Sequence, residues 1–185
     1  GVSDDHYGSA TLSMRNNTIA DNGITGYTEG GGGGSHIFRN NIIVNSGRIG
    51  VAKLCGTPIS SFSIQYNDVW NNPWGNYLNT GCNNNTSFAP SPGTGELSVD
   101  PLFVGGGDYH LQSSSPVINA GDPSFSDPDG SRSDMGVYPG TPPPTPASPP
   151  SSTTTLDLRT KNLAIISQMI NSLNEILKEL SKILK

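Results

Sequence analysis

The sequence predicts an all-β solenoid, a parallel β-helix, followed by a Pro-rich linker and a C-terminal amphipathic, coiled-coil α-helix. Three observations lead there: an asparagine-centred repeat, a composition too lean in apolar residues for a conventional core, and an abrupt change of character after residue 138. Of 185 residues only 32% are hydrophobic, while Gly and Pro together supply 38, the sum of 23 and 15. A solenoid suits this mixture, because its narrow interior is filled one turn of chain at a time and its corners absorb Gly, Asn and Ser.

The repeat emerges when three segments are aligned: Leu12–Gly23, Ile37–Gly47 and Ile64–Asn72. Asn17, Asn41 and Asn67 then coincide, at spacings of 24 and 26 residues, and Ile19, Ile43 and Val69 coincide two positions later. Periods of 20–50 residues mark repeat architectures. Each unit reads as a short strand, an Asn-centred turn, a second short strand and a Gly- or Asn-rich excursion. Stacked strands sit ~4.8 Å apart and point alternate side chains inward. A corner between strands needs a residue that tolerates left-handed backbone, which Asn does better than other non-Gly types. Its amide also hydrogen-bonds to the same residue one repeat away, as in stacked amide ladders. Asn17, Asn41 and Asn67 are therefore expected to form an internal ladder; chance enrichment of Asn in loops would not carry the shared apolar register.

From Glu96 the pattern changes to Asp100-Pro-Leu-Phe-Val104, then Tyr109-His-Leu-Gln-Ser-Ser-Ser-Pro-Val-Ile-Asn-Ala-Gly-Asp-Pro123, then Asp134-Met-Gly-Val-Tyr138. These three motifs, in this order, resemble the last coils of secreted microbial right-handed parallel β-helix proteins, a family with interchangeable C-terminal surface anchors. The resemblance covers roughly residues 10–138. It implies a right-handed parallel β-helix over 1–138 and a secreted or cell-surface location. It does not specify an activity, since members include polysaccharide lyases, glycoside hydrolases, adhesins and surface-layer components.

Residues 139–155 read as a Pro/Ser/Thr-rich linker, extended and semi-rigid, of the kind that carries O-linked sugars. Residues 156–185 read as a helix. Leu163, Ile166, Ile170, Leu173, Leu177, Leu180 and Leu184 alternate at steps of three and four, the seam of a coiled coil. Met169, Ile176 and Ile183 add a third apolar line. A two-stranded coil buries only the seam, so the wider stripe points to three or more helices, or to docking in a groove. Folding back onto the chain's own β-helix is the alternative.

Charge excludes some partners. Residues 1–140 carry five basic and twelve acidic side chains and residues 141–185 five and three, for a net −5. An acidic body argues against nucleic acid. No apolar run reaches the ~18 residues of a transmembrane helix. The chain opens at Gly1 directly into polar sequence, which is expected of a processed chain or a piece of a longer one, with a first strand left uncovered.

Candidate chemistry is sparse. Asp127, Asp129, Ser131 and Asp134 surround a Gly as the oxygen donors of a calcium loop do, without the Glu at position 12 of an EF-hand; an Asx-turn network gives the same bend. No other cofactor is indicated. Sequons fall at Asn16, Asn84 and Asn85, and Asn16 is expected to point outward if Asn17 points inward. Trp70, Trp74 and Tyr77 suit either a sugar-stacking platform or the anchors of a long loop. Asp4-Asp5-His6 is the only tight acidic pair beside a base, and no catalytic residues are assigned. The expected function is an extracellular structural protein that self-associates into an oligomer or filament, with polysaccharide as a further candidate partner. The alternative is the non-catalytic C-terminal part of a surface-anchored polysaccharide lyase or glycoside hydrolase.

Cys55 and Cys82 lie 27 residues apart. They are either two buried thiols or, as the extracellular setting favours, one disulfide. In the second case no thiol titrates in the denatured, unreduced protein, and Cys55→Ser lowers stability by on the order of 3 kcal/mol.

Overall fold

The computed structural model describes residues 1–4, 10–30, 34–81 and 86–138, together with Ile170 and Lys178. The chain divides into two units, Gly1–Pro143 and Pro144–Lys185. In the second, Ile170 and Lys178 have helical backbone and are exposed. The rest of the apolar seam and the linker lie outside the described residues.

Along the first unit run β1 (Val2–Asp4), β2 (Thr11–Arg15), β3 (Thr18–Ala20), β4 (Thr25–Glu29), β5 (Ser35–Arg39), β6 (Ile42–Val44), β7 (Ile49–Leu54), β8 (Phe62–Gln65), β9 (Asp68–Trp70), β10 (Gly75–Thr80), β11 (Thr86–Ser87), β12 (Phe103–Gly105) and β13 (Asp108–Leu111). Every third strand joins the same sheet. One sheet takes β1, β4, β7 and β10, with β11 added at its edge; a second takes β2, β5 and β8; a third takes β3, β6 and β9. Pairing between successive repeats is parallel throughout the described residues, while β10–β11 and β12–β13 pair antiparallel. The fold is therefore all-β, in parallel sheets.

Register stacks like on like. Ile19, Ile43 and Val69 align in one sheet, Met14, Phe38 and Ile64 in another, and Tyr27, Val51 and Tyr77 in the third. These stacks, with Phe62, pack into a single core fed by all three sheets. Where the first sheet approaches the third, side chains would not fit. A Cβ on Gly26 would lie 2.5 Å from an Ile43 methyl, and one on Gly50 would lie 2.6 Å from a Val69 methyl.

The corners explain the asparagines, with one correction. The left-handed residues are Asn16, Asn40 and Tyr66, at φ of 54°, 56° and 56°, each one position before the expected Asn17, Asn41 and Asn67. A matching set follows five residues on, at Asp21, Asn45 and Asn71 (56°, 55° and 54°). Each three-residue strand of the third sheet is thus bracketed by two corners. At the first corner, the first residue bends the chain and the second aims its side chain along the stack. Tyr66 is unusual in left-handed backbone, which is costly for a bulky residue. Its ring fills the space over Gly95, where a Cβ would come within 2.1 Å of it.

The ladder itself forms. Asn41 Oδ1 accepts from both the backbone N–H and the amide of Asn17, each at 3.0 Å. Asn67 Oδ1 accepts the same pair from Asn41, at 3.0 and 2.8 Å. It then extends one step beyond the aligned repeats: Glu96 Oε1 accepts both donors of Asn67, at 2.9 and 2.8 Å. A weaker counterpart runs along the other corner, where Ser46 N donates to Asn72 Oδ1 at 3.0 Å.

Parallel stacking ends nearby, with bridges from Ile64 to Pro92 and from Asp68 to Leu97. Residues 103–138, which the sequence placed in further coils, do something else. They run back over the outer side of the third sheet, where Leu111, Val117 and Met135 cover Ile42 and Val44. This buries β6 on both faces, a pattern typical of parallel sheets. Asn40 fastens the returning segment: its carbonyl accepts from Gly136 N at 2.7 Å, and its Oδ1 from Asp122 N at 2.7 Å. Arg39 lies 3.6 Å from Asp122.

Asn41→Ala removes the acceptor for two Asn17 donors and a donor to Asn67, and is expected to cost about 1–3 kcal/mol in denaturant melts. Asn71→Gly, at an exposed left-handed position, is expected to stay within about 1 kcal/mol of the parent.

Candidate functional site

The described residues hold a cleft of about 440 Å³ where the second corner meets the returning hairpin. The corner contributes Asp21, Asn45 and Asn71, and the end of β9 contributes Trp70. The hairpin β12–β13 contributes Phe103, Asp108 and Tyr109, flanked by Asp100 and Gln112. Its turn is Gly105-Gly106-Gly107, with φ of 93°, 66° and 88° and nothing within 4 Å of where a Cβ would sit. Only glycine adopts three such values in succession without strain, so the lip of the cleft is bare backbone.

The walls are braced. Tyr109 donates its hydroxyl to Asp21 Oδ2 at 3.0 Å, and its ring meets Phe103 edge-on, centroids 5.3 Å apart. Asn71 donates to Asn45 Oδ1 at 2.8 Å and Gln112 to the Phe103 carbonyl at 2.8 Å. Asp100 Oδ1 accepts from Leu102 N at 2.9 Å. Asp108 Oδ1 accepts from His110 N at 2.9 Å and lies 2.6 Å from His110 Nδ1, whose ring stacks on Tyr138. Those bonds hold the Asp108 carboxyl below the usual carboxylate range.

A second concentration of acid lies in the interior beside this cleft. Asp68 is fully buried; its Oδ1 accepts from Val99 N at 3.0 Å, while Oδ2 has no hydrogen-bond partner. Burial pushes its carboxyl up to about 7, the Val99 N–H pulling against this and the Glu96 and Asp100 carboxylates adding to it. Glu96 is raised by burial too, opposed by hydrogen bonds from Tyr77 and Asn67. The Tyr77 hydroxyl donates to Glu96 Oε2.

The residues singled out from sequence scatter. Tyr77 packs in the core against Phe88, Trp74 is exposed beneath the Arg48 guanidinium, and Trp70 lines the cleft, so the three aromatics form no common platform. Asp4 sits 3.1 Å from His36, while Asp5 and His6 lie outside the described residues. The expected calcium donors each make a local hydrogen bond through one carboxylate oxygen. Asp127 Oδ2 accepts from Asp134 N, Asp129 Oδ1 from Ser131 N and Oγ, and Asp134 Oδ1 from Asn119 N. Bonds of this kind are those of Asx turns. Asn16 does not point outward as expected; it is half-buried, and its amide donates to the Asp134 carbonyl at 3.2 Å. Asn84 and Asn85 lie outside the described residues, as does Cys82. Cys55 is exposed and disulfide-bonded. No helix among the described residues is long and apolar enough to cross a membrane. Sequence reasoning missed Glu96, Asp21 and the hairpin acids. The Glu96 signal was its place 29 residues after Asn67, immediately ahead of the apolar Leu97.

No family model, curated protein or solved structure matches the chain.

The buried acid has a measurable consequence. A folded carboxyl that holds its proton to about pH 7, against about 4 unfolded, makes the folded state bind more protons between those values. Stability contributed by Asp68 is therefore present below about pH 4 and lost as pH rises through about 7. Asp68→Asn, which keeps the acceptor for Val99, is expected to raise the melting temperature at about pH 8 by the equivalent of on the order of 2 kcal/mol and to change little at about pH 4.

Proposed function

We propose that this chain is a secreted or cell-surface structural module that assembles with copies of itself. In this reading the three parallel sheets are the faces of a right-handed parallel β-helix, since a strand–crossover–parallel strand connection is right-handed in nearly all cases. Residues 139–155 are a spacer, and 156–185 form a helix whose apolar seam, Leu163 to Leu184, pairs with those of other copies. The observation that carries it is the Asn17–Asn41–Asn67–Glu96 ladder. It commits the polar interior of one corner to holding repeats in register, as a rigid scaffold requires, rather than to presenting catalytic groups. The acidic body and the basic tail favour contact between copies in a salt-dependent way. Calcium has no part in this reading.

A second reading, the non-catalytic end of a polysaccharide-degrading enzyme, draws on the aromatic and acidic cleft. The two are separated by light scattering on the intact chain and on one truncated at Pro150. The assembly reading predicts that the intact chain is oligomeric and the truncated one monomeric at the same concentration; monomers in both cases overturn it.

A further inference from the structure

The cleft beside the second corner has a chemistry that the assembly role does not use. Asp21, Asp100 and Asp108 present three carboxylates to one space, and among the described residues no Lys or Arg lines it. In each, one oxygen is fixed by a protein donor: the Tyr109 hydroxyl, Leu102 N, and His110 N respectively. The second oxygen of each has no hydrogen-bonding partner among the described residues. The groups are oriented and still able to accept.

Beside them stand flat apolar surfaces. Trp70 is half-buried, and Tyr109 is locked against Phe103 so that one of its edges is committed and its hydroxyl tied to Asp21. Amides from Asn45, Asn71 and Gln112 supply both donors and acceptors at the margin. A volume of about 440 Å³ lies within the range of small-ligand sites and exceeds what a lone ammonium group or a single lysine side chain would fill.

We propose that this cleft binds an amine-bearing sugar, one or two rings of a glucosamine-type oligomer. Ring faces stack on the aromatic side chains, hydroxyls bond to the amides, and the ammonium group sits between the carboxylates and the aromatic faces, where both attract a cation. A uronate-bearing polymer meets three like charges there. An N-acetylated or neutral sugar leaves the carboxylates without a counter-charge. The inference stands apart from self-assembly, since its residues all belong to the first unit.

Calorimetric titration of the full chain with four probes tests it: glucosamine tetramer, N-acetylglucosamine tetramer, galacturonate tetramer and tetralysine. The glucosamine tetramer is expected to bind at least about ten-fold more tightly than each of the others. Raising salt from about 50 to about 500 mM is expected to weaken it several-fold. Asp21→Asn with Asp100→Asn is expected to weaken binding about ten-fold or more without lowering the melting temperature, since both sites are exposed and Asn is well suited to the left-handed backbone at 21. Trp70→Ala, which removes the stacking face, is expected to reduce binding whatever its effect on stability. Equal binding of the N-acetylated tetramer would overturn the amine assignment, and equal binding of tetralysine would overturn the sugar. Absence of binding, or binding indifferent to the Asp substitutions in a folded variant, would overturn the site.

Discussion

The carbonyl oxygen of an asparagine side chain, standing in for a backbone acceptor, is the interaction on which the rest of this structure depends. Where the chain turns out of one sheet and into the next, left-handed backbone at Asn16, Asn40 and Tyr66 takes the following residue out of the ladder between strands. At the buried Asn41 and Asn67 that N–H would otherwise be unpaired away from water, a cost comparable to a lost hydrogen bond. The Oδ1 of the next Asn down the stack takes that N–H and an amide hydrogen together. This pair of hydrogen bonds forms only if the repeats align residue on residue. Register across all three sheets, and the apolar stacks that make the core, follow from that alignment.

The same logic accounts for the end of the ladder. Glu96 takes the place of a fourth Asn and accepts both donors of Asn67, but a carboxylate has no hydrogens to pass on. Parallel stacking does not extend far past it, and the chain turns back over the outer side of the third sheet. Termination has a cost, because the half-buried carboxylate lies near Asp68, where burial raises both groups and like charge adds to the rise at Asp68. Tyr77 and the Asn67 donors offset part of it. The returning segment in turn creates the cleft, whose two walls are a corner of the repeat and the hairpin laid beside it.

Much of this was legible in the sequence. The coincidence of Asn17, Asn41 and Asn67 with Ile19, Ile43 and Val69 carried parallel stacking, the ladder and one stack of the core. A period shared by polar and apolar residues requires each repeat to lie on the last, residue over residue. The bending residue was misplaced by one position, since Asn-Asn pairs at 16–17 and 40–41 do not say which member bends and which bonds, and Tyr66 hides the pattern in the third repeat. Residues 103–138 were expected to form further coils because their three motifs resemble the last coils of parallel β-helix proteins. That they cover the outer face depends on Gly121 and Gly136 passing close to Asn40, Ser133 and Ile42, contacts that local pattern does not encode. The cleft was invisible for the same reason: Asp21 and Tyr109 are 88 residues apart and meet only through the fold.

The most direct test of the ladder's role is amide hydrogen exchange, followed residue by residue by NMR. The backbone N–H groups of Asn41 and Asn67 lie at corners, outside any strand, and ordinary turn amides exchange quickly. If each is held by the side chain of the next rung, both exchange only on global unfolding, as slowly as the amides of Ile43 and Val69. Exchange at the rate of an exposed loop would contradict the ladder as the element that sets the fold.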